Sequence, residues 1–310
     1  MLNRIQTYLI IIVFSLISAA NAEVKVVTSI KPIHSLVSYI MDGVGKPDVI
    51  VDGYNSPHGF SLKPSHAKML ENADLVIWVG EDLEAFLEKP LETIAKKAKN
   101  IELMDLKGIK KLDFREKNIF EEHDDHKEHD DHKEKDAHEG HHHGEHDPHV
   151  WLDPMNAKVI VKEITKELIK LDSKNSSIYK SNSKKALADI DKLIKSIRKD
   201  LNKNLRFVVF HDAYQYYENR FEIQVLGALT VNTDVMPGAE QLSEIREVIE
   251  HEKVNCLFSE PQFNPSIIKS IAKDTSVKTG ILDPLGAELD KGKDLYFDLL
   301  NNMTSSFKGC

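Results

Sequence analysis

Short apolar segments alternate with helix-like segments along two stretches of this chain, one on each side of a histidine-rich segment. Strands are predicted at residues 24–29, 48–51, 75–79 and 101–104, and again at 207–210, 224–226, 256–259 and 280–282. Strands separated in this way by helices are typical of parallel sheets, because a parallel connection needs a crossover of about a dozen residues or more. The alternation predicts an α/β fold with two lobes, each a parallel sheet flanked by helices.

A long helical region with almost no Gly or Pro separates the two stretches. It begins near Asn156, breaks at residues 172–176, where Asp, Ser and Asn cluster, and continues as one charged helix over residues 177–203. A continuous helix is a stiffer joint than a loop, so we expect small motions between the lobes. The predicted division is a signal peptide (1–22), an N-terminal lobe (23–176), a linking helix (177–203) and a C-terminal lobe (204–310).

The first 22 residues have the pattern of a secretory signal peptide. Arg4 gives a positive start, residues 8–17 are almost entirely apolar, and Ala20-Asn21-Ala22 fits a cleavage site after Ala22. No cysteine follows the apolar stretch, so we expect no lipid anchor, and no later stretch has the roughly 20 apolar residues of a membrane span. The mature chain is expected in the periplasm.

Residues 121–147, called here the His-rich segment, contain nine of the fifteen histidines together with twelve acidic residues and three lysines. Its histidines are His123, His126, His129, His132, His138, His141, His142, His143 and His146. Such a segment lacks the apolar side chains needed to build a core, so we expect it to be disordered. A solvated acidic linker is the simple alternative, and an affinity tag does not fit an internal position. Imidazole and carboxylate groups favour auxiliary binding of divalent transition metals.

The net negative charge of the chain comes from the same His-rich segment. The formal net charge is −9, and the three lysines and twelve acidic residues of the His-rich segment account for all of it. The remainder is balanced and offers no basic face for nucleic acid. We expect a monomer.

Two cysteines, Cys256 and Cys310, are present. In an oxidising compartment such a pair is interpreted first as a disulfide. The alternative, two metal thiolates, is not supported by their spacing.

Four potential metal ligands lie at the expected ends of strands. His58 and His211 follow predicted strands, His149 directly follows the His-rich segment, and Asp283 ends the last predicted strand. Each alone has an ordinary structural explanation, such as a hydrogen-bonded histidine or an Asp in a turn. Because ligands gather beyond the carboxyl ends of parallel strands, the four together predict a cation in the cleft between the lobes.

Several motifs accompany these candidate ligands. They are Pro57-His58 with Lys63-Pro64-Ser65, the His-rich segment, His149-Val150-Trp151-Leu152, Phe210-His211-Asp212-Ala213-Tyr214, Ser259-Glu260-Pro261-Gln262-Phe263 and Leu282-Asp283-Pro284-Leu285-Gly286. Through them the chain resembles, along essentially its whole length, ZnuA-type proteins, the periplasmic receptors of bacterial zinc ABC importers. The resemblance also implies the disulfide between Cys256 and Cys310.

The resemblance implies that His58, His149 and His211 bind Zn²⁺. Manganese-type relatives carry Glu where this chain has His211, which agrees with the preference of Zn²⁺ for imidazole. Some zinc-type members have Glu immediately before the first ligand, whereas this chain has Pro57. The fourth position is left to Asp283, which we favour, or to a water. Asp212 is expected either to orient an imidazole or to cap the following helix.

The implied function is periplasmic capture of Zn²⁺ and delivery to an inner-membrane ABC permease with its cytoplasmic ATPase, without enzymatic activity. A zinc hydrolase is the alternative from another class, since three histidines and a water also form a catalytic arrangement. The chain has no H-E-x-x-H motif, and no general base is evident beside the ligands. A metal-storage or adhesion protein of the same fold is the third possibility.

Overall fold

The computed structural model describes residues 23–120, 145–231, 233 and 237–310, and two four-stranded sheets lie within them. The first contains β1 (Val26–Ile30), β2 (Asp48–Val51), β3 (Leu75–Trp78) and β4 (Lys99–Glu102). The second contains β5 (Arg206–His211), β6 (Gln224–Thr230), β7 (Cys256–Ser259) and β8 (Lys278–Ile281). Their orders are β2-β1-β3-β4 and β6-β5-β7-β8, and all neighbouring strands are parallel. The prediction of two parallel sheets is confirmed.

Helices connect the strands of each sheet and join one sheet to the other. They are α1 (Lys31–Ile40), α2 (Pro64–Glu71), α3 (Glu81–Thr93), α4 (Pro154–Leu171), α5 (Ser176–Asp200), α6 (Gln215–Phe221), α7 (Ala239–His251), α8 (Ser266–Thr275) and α9 (Leu295–Lys308). The predicted break between α4 and α5 is confirmed, because a short 3-10 turn at Ser173–Asn175 separates them. None of the described helices has both the length and the apolar character needed to cross a bilayer.

The two sheets are held together by more than the long helix α5. α9 follows the second sheet in sequence but packs against α1 and α5. The buried Lys31 Nζ donates to the carbonyl oxygens of Ala287 (3.1 Å) and Leu289 (2.6 Å), and Trp151 Nε1 donates to that of Pro284 (2.8 Å). These bonds attach the loop after β8 to the first lobe, so separating the lobes would break several buried hydrogen bonds.

The predicted disulfide is present between Cys256, in β7, and Cys310, just after α9, with a Cα–Cα distance of 5.8 Å. It ties the end of α9 to the centre of the second sheet.

The connection between β4 and α4 crosses from the first lobe to the second. Ile119 pairs antiparallel with Gly227, and the amide of Phe120 donates to the carbonyl of Leu226 (2.9 Å), which covers the edge of β6. On the return, Asp113 pairs antiparallel with His146. The sequence did not predict this added pairing, because the strand partner lies more than 100 residues away.

Two predictions lie outside the described residues. They are the signal peptide at residues 1–22 and most of the His-rich segment, including His123, His126, His129, His132, His138, His141, His142 and His143.

Candidate metal centre

Three histidine side chains converge in the structure. His58, His149 and His211 each offer a ring nitrogen, and these nitrogens lie within 4.8 Å of one another. The Nε2 atoms of His149 and His211 are 3.3 Å apart. In a tetrahedral zinc site with Zn–N bonds of about 2.0–2.1 Å, two ligand nitrogens are separated by about 3.3–3.4 Å. The two buried imidazoles therefore already have the spacing of zinc ligands.

The fold brings these three side chains from separate segments to one place. His211 is the last residue of β5, His58 lies in the loop between β2 and α2, and His149 directly precedes a 3-10 turn at Val150–Leu152. The sites at strand ends expected from the sequence are thus brought together across the two lobes. Among the described residues, no other group of three or more His, Cys, Asp or Glu side chains converges in this way.

Asp283, the predicted fourth ligand, is not part of this group. Its Oδ1 accepts hydrogen bonds from Gln262 Nε2 (2.9 Å) and from the amides of Leu285 (3.1 Å) and Gly286 (2.9 Å), and its Oδ2 accepts from the amide of Ala287. The turn after β8 leaves these amides without strand partners, and the carboxylate satisfies them. In this structure Asp283 is therefore engaged by the turn after β8 and lies outside the converging group of histidines.

Two buried carboxylates orient the buried imidazoles. Asp147 Oδ1 accepts from Nδ1 of His149 (2.7 Å), and Glu260 Oε1 accepts from Nδ1 of His211 (2.7 Å). A proton held on Nδ1 leaves a lone pair on Nε2, and a carboxylate behind a histidine is the usual support of a metal ligand. The lone pairs of the two Nε2 atoms face each other, an arrangement that a cation between them stabilises.

The two buried imidazoles differ in proton affinity. Burial lowers the pKa of His149 well below its ordinary value, and the neighbouring His211 lowers it further. Burial also disfavours the charged form of His211, but the carboxylates of Glu260, Asp212 and Asp147 together outweigh it and raise the pKa of His211. His149 is thus held neutral, with a lone pair available to a metal, whereas His211 is the imidazole that holds a proton more strongly.

The space between the imidazoles is small. A cavity of about 10 Å³ is lined by the three histidines together with Trp151 and Phe263. One water needs about 10–15 Å³ of such space, so the cavity accommodates a single ion or water and excludes an organic metabolite.

Asp147 was not singled out from the sequence, although it left a signal there, as a carboxylate two residues before a candidate ligand. Asp212 has neither of its expected roles, because its Oδ1 accepts from Arg115 Nη1 (2.9 Å). His146, the one described histidine of the His-rich segment, has its Nδ1 3.0 Å from Asp113 Oδ1 and is not in the converging group.

The known proteins that this chain resembles in sequence and in fold include zinc-uptake proteins. The family model described as zinc-uptake complex component A, periplasmic, matches residues 26–310. The chain is 44% identical over 311 residues to the high-affinity zinc uptake system protein ZnuA of Brucella abortus (strain 2308), covering 94% of this chain and 93% of that protein. It is 39% identical over 302 residues to the protein of the same name from Yersinia pestis, covering 96% and 92%. A crystal structure of ZnuA superposes with a TM-score of 0.75 at 23% identity, covering 92% of this chain and 98% of that one.

Proposed function

The chain belongs to the family of periplasmic components of zinc-uptake complexes, and on this premise we propose that it captures Zn²⁺ in the periplasm through His58, His149 and His211. It then delivers the ion to an inner-membrane zinc ABC permease that works with a cytoplasmic ATPase. The mature chain begins after Ala22 and acts as a monomer. The observation that carries the proposal is the 3.3 Å separation of two buried Nε2 atoms whose Nδ1 atoms are held by carboxylates.

The donor set supports zinc over harder cations. Imidazole nitrogens suit Zn²⁺ in a four-coordinate site, whereas Mn²⁺ and Mg²⁺ prefer oxygen ligands. With Asp283 engaged by backbone amides, we leave the fourth position to a water.

The same geometry argues against the zinc hydrolase considered from the sequence. The carboxylates that contact the ligands, Asp147 and Glu260, hold imidazoles through their Oδ1 and Oε1 atoms, so neither is placed as a general base. A cavity of about 10 Å³ has no space for an organic substrate beside the metal.

The decisive test is a crystal structure of the zinc-loaded protein with anomalous data recorded on both sides of the zinc edge. We expect one strong peak within about 2.0–2.1 Å of a ring nitrogen of each of the three histidines. A peak elsewhere, with these side chains unbound, would reject the ligand assignment.

We further propose that the His-rich segment binds additional zinc ions weakly. Deleting residues 121–144 is expected to reduce the stoichiometry from several ions to one and to leave the affinity of the tight site unchanged. The deletion stops before Glu145 because Asp147 supports His149. Isothermal titration with zinc measures both quantities, and replacing the eight histidines of residues 121–144 by Asn is the control for chain length. An unchanged stoichiometry in both variants would contradict the auxiliary role.

Zinc affinity is expected to fall as the pH falls, because an imidazole must be neutral to bind a metal. Since the pKa of His211 lies above its ordinary value of about 6.5, the loss begins above that pH. Affinity should then fall about tenfold per pH unit for each proton that zinc must displace. Competition with a chromophoric chelator at pH 8, 7 and 6 measures this slope, and a constant affinity would argue against histidine ligation.

A further inference from the structure

Arg115 bridges two buried carboxylates on the second lobe. Its Nη1 lies 2.9 Å from Asp212 Oδ1, and its Nη2 lies 2.8 Å from Glu218 Oε2. The guanidinium also lies over the ring of Phe120, 4.0 Å from the centroid. The side chains of Asp212 and Glu218 are only 2% and 7% exposed. A carboxylate buried to this degree is costly unless it is paired, so Arg115 stabilises both acids in their buried positions.

One of these acids is adjacent to a zinc ligand. Asp212 follows His211 directly at the end of β5, and its amide donates to the carbonyl of Thr230 (3.2 Å). Asp212 is therefore held twice, by its amide at Thr230 and by its side chain at Arg115, and both contacts restrict the backbone next to His211. The orientation of the His211 imidazole toward Glu260 and His149 depends on that backbone.

The segment that carries Arg115 also holds the support of the second buried imidazole. The amide of Asp147 donates to the carbonyl of Leu112 (2.8 Å), and Tyr216 Oη accepts from the amide of Leu112 (3.0 Å) and donates to the carbonyl of Asp147 (2.7 Å). Asp147 in turn holds His149. Residues 112–115 thus contact Asp147, the support of His149, and Asp212, the residue next to His211, although they contribute no ligand.

We propose that Arg115 is a positioning residue for zinc binding. By joining residues 112–115 to Asp212 and Glu218, it sets the distance and direction between the His149 and His211 imidazoles. The inference rests on the proposed zinc capture and assigns to that site a residue that does not touch the metal.

Arg220 offers a matched control. It forms a two-bond ion pair with Asp153, Nε–Oδ1 and Nη2–Oδ2 both at 2.6 Å, and the two side chains are 24% and 3% exposed. The corresponding values for Arg115 and Asp212 are 26% and 2%. The two arginines therefore stabilise the fold in similar surroundings, but only Arg115 contacts the residue next to His211.

The experiment compares Arg115→Met, Arg115→Lys and Arg220→Met in the full mature chain. Zinc dissociation constants are measured by chelator competition, and melting temperatures are measured with and without zinc. We expect Arg115→Met to bind zinc about 10–100-fold more weakly, the usual cost of losing an outer support of a metal ligand. Arg115→Lys keeps the positive charge but not the planar guanidinium that reaches both carboxylates, so its zinc affinity should fall by about 3–10-fold. Arg220→Met should melt earlier but bind zinc within about threefold of the wild type.

The results separate positioning from general stability. Wild-type affinity in Arg115→Met, or an equal loss in Arg220→Met, would overturn the proposal. If Arg115→Met does not fold, Arg115→Lys decides, and wild-type affinity in that variant would overturn it. Failure of the wild-type protein itself to bind zinc would instead reject the proposed function.

Discussion

Replacing His211 by alanine is expected to weaken zinc binding by on the order of 100- to 1,000-fold. Structural zinc sites release about 10–16 kcal/mol in total, so one of four ligands accounts for about 2.5–4 kcal/mol. The change also leaves Glu260 buried without its imidazole partner. Chelator competition at pH 7.5 measures the loss.

His34 provides the control for His211→Ala. It is also buried, and its Nε2 is 3.1 Å from the carbonyl of Pro47, but it is not in the converging group. His34→Ala should lower the melting temperature and leave zinc affinity unchanged. An affinity within about tenfold of the wild type in His211→Ala would show that this imidazole is not a metal ligand.

Removing the disulfide is expected to cost about 4 kcal/mol of unfolding free energy. The bond joins residues 54 apart, and closing a loop of that length removes conformational freedom from the unfolded chain. It also ties α9 to β7, while α9 packs on α1 and α5.

Urea unfolding of the Cys256→Ser, Cys310→Ser double variant measures this cost. Wild-type protein unfolded in the presence of a reductant is the matched control and should lose the same free energy. A loss below about 1 kcal/mol in both samples would mean that the bond does little to restrict the unfolded chain.

The strands and helices could be predicted from local sequence. Residues 75–78, for example, are Leu-Val-Ile-Trp, and all four are buried in β3. A parallel strand covered on both faces requires such a continuous apolar run, so its position can be recognised without knowing its neighbours. The break between α4 and α5 was predictable for a similar reason, because its turn-forming residues act locally.

The places of His58 and His211 were also predictable, because each follows a parallel strand and chemically active side chains gather beyond the carboxyl ends of such strands. His149 precedes a 3-10 turn and was singled out by its position after the His-rich segment. The side chains that hold these histidines were harder to predict. Glu260 follows β7, and Arg115 reaches Asp212 from a segment that no local pattern connects to the second lobe. Such pairings depend on the path of the chain between elements, which periodicity does not report.

The sequence by itself determined the two parallel sheets, the long helix between them, the cysteine pair and the imidazoles available to a metal, since each follows from residue type and local spacing. Only the tertiary structure decided which carboxylates accept hydrogen bonds from those imidazoles. Asp283 looked like a ligand, yet its oxygens bind the amides of the turn after β8, while Asp147 and Glu260 hold His149 and His211. A carboxylate accepts from whichever donors the folded backbone places within about 3 Å, and that choice is geometric.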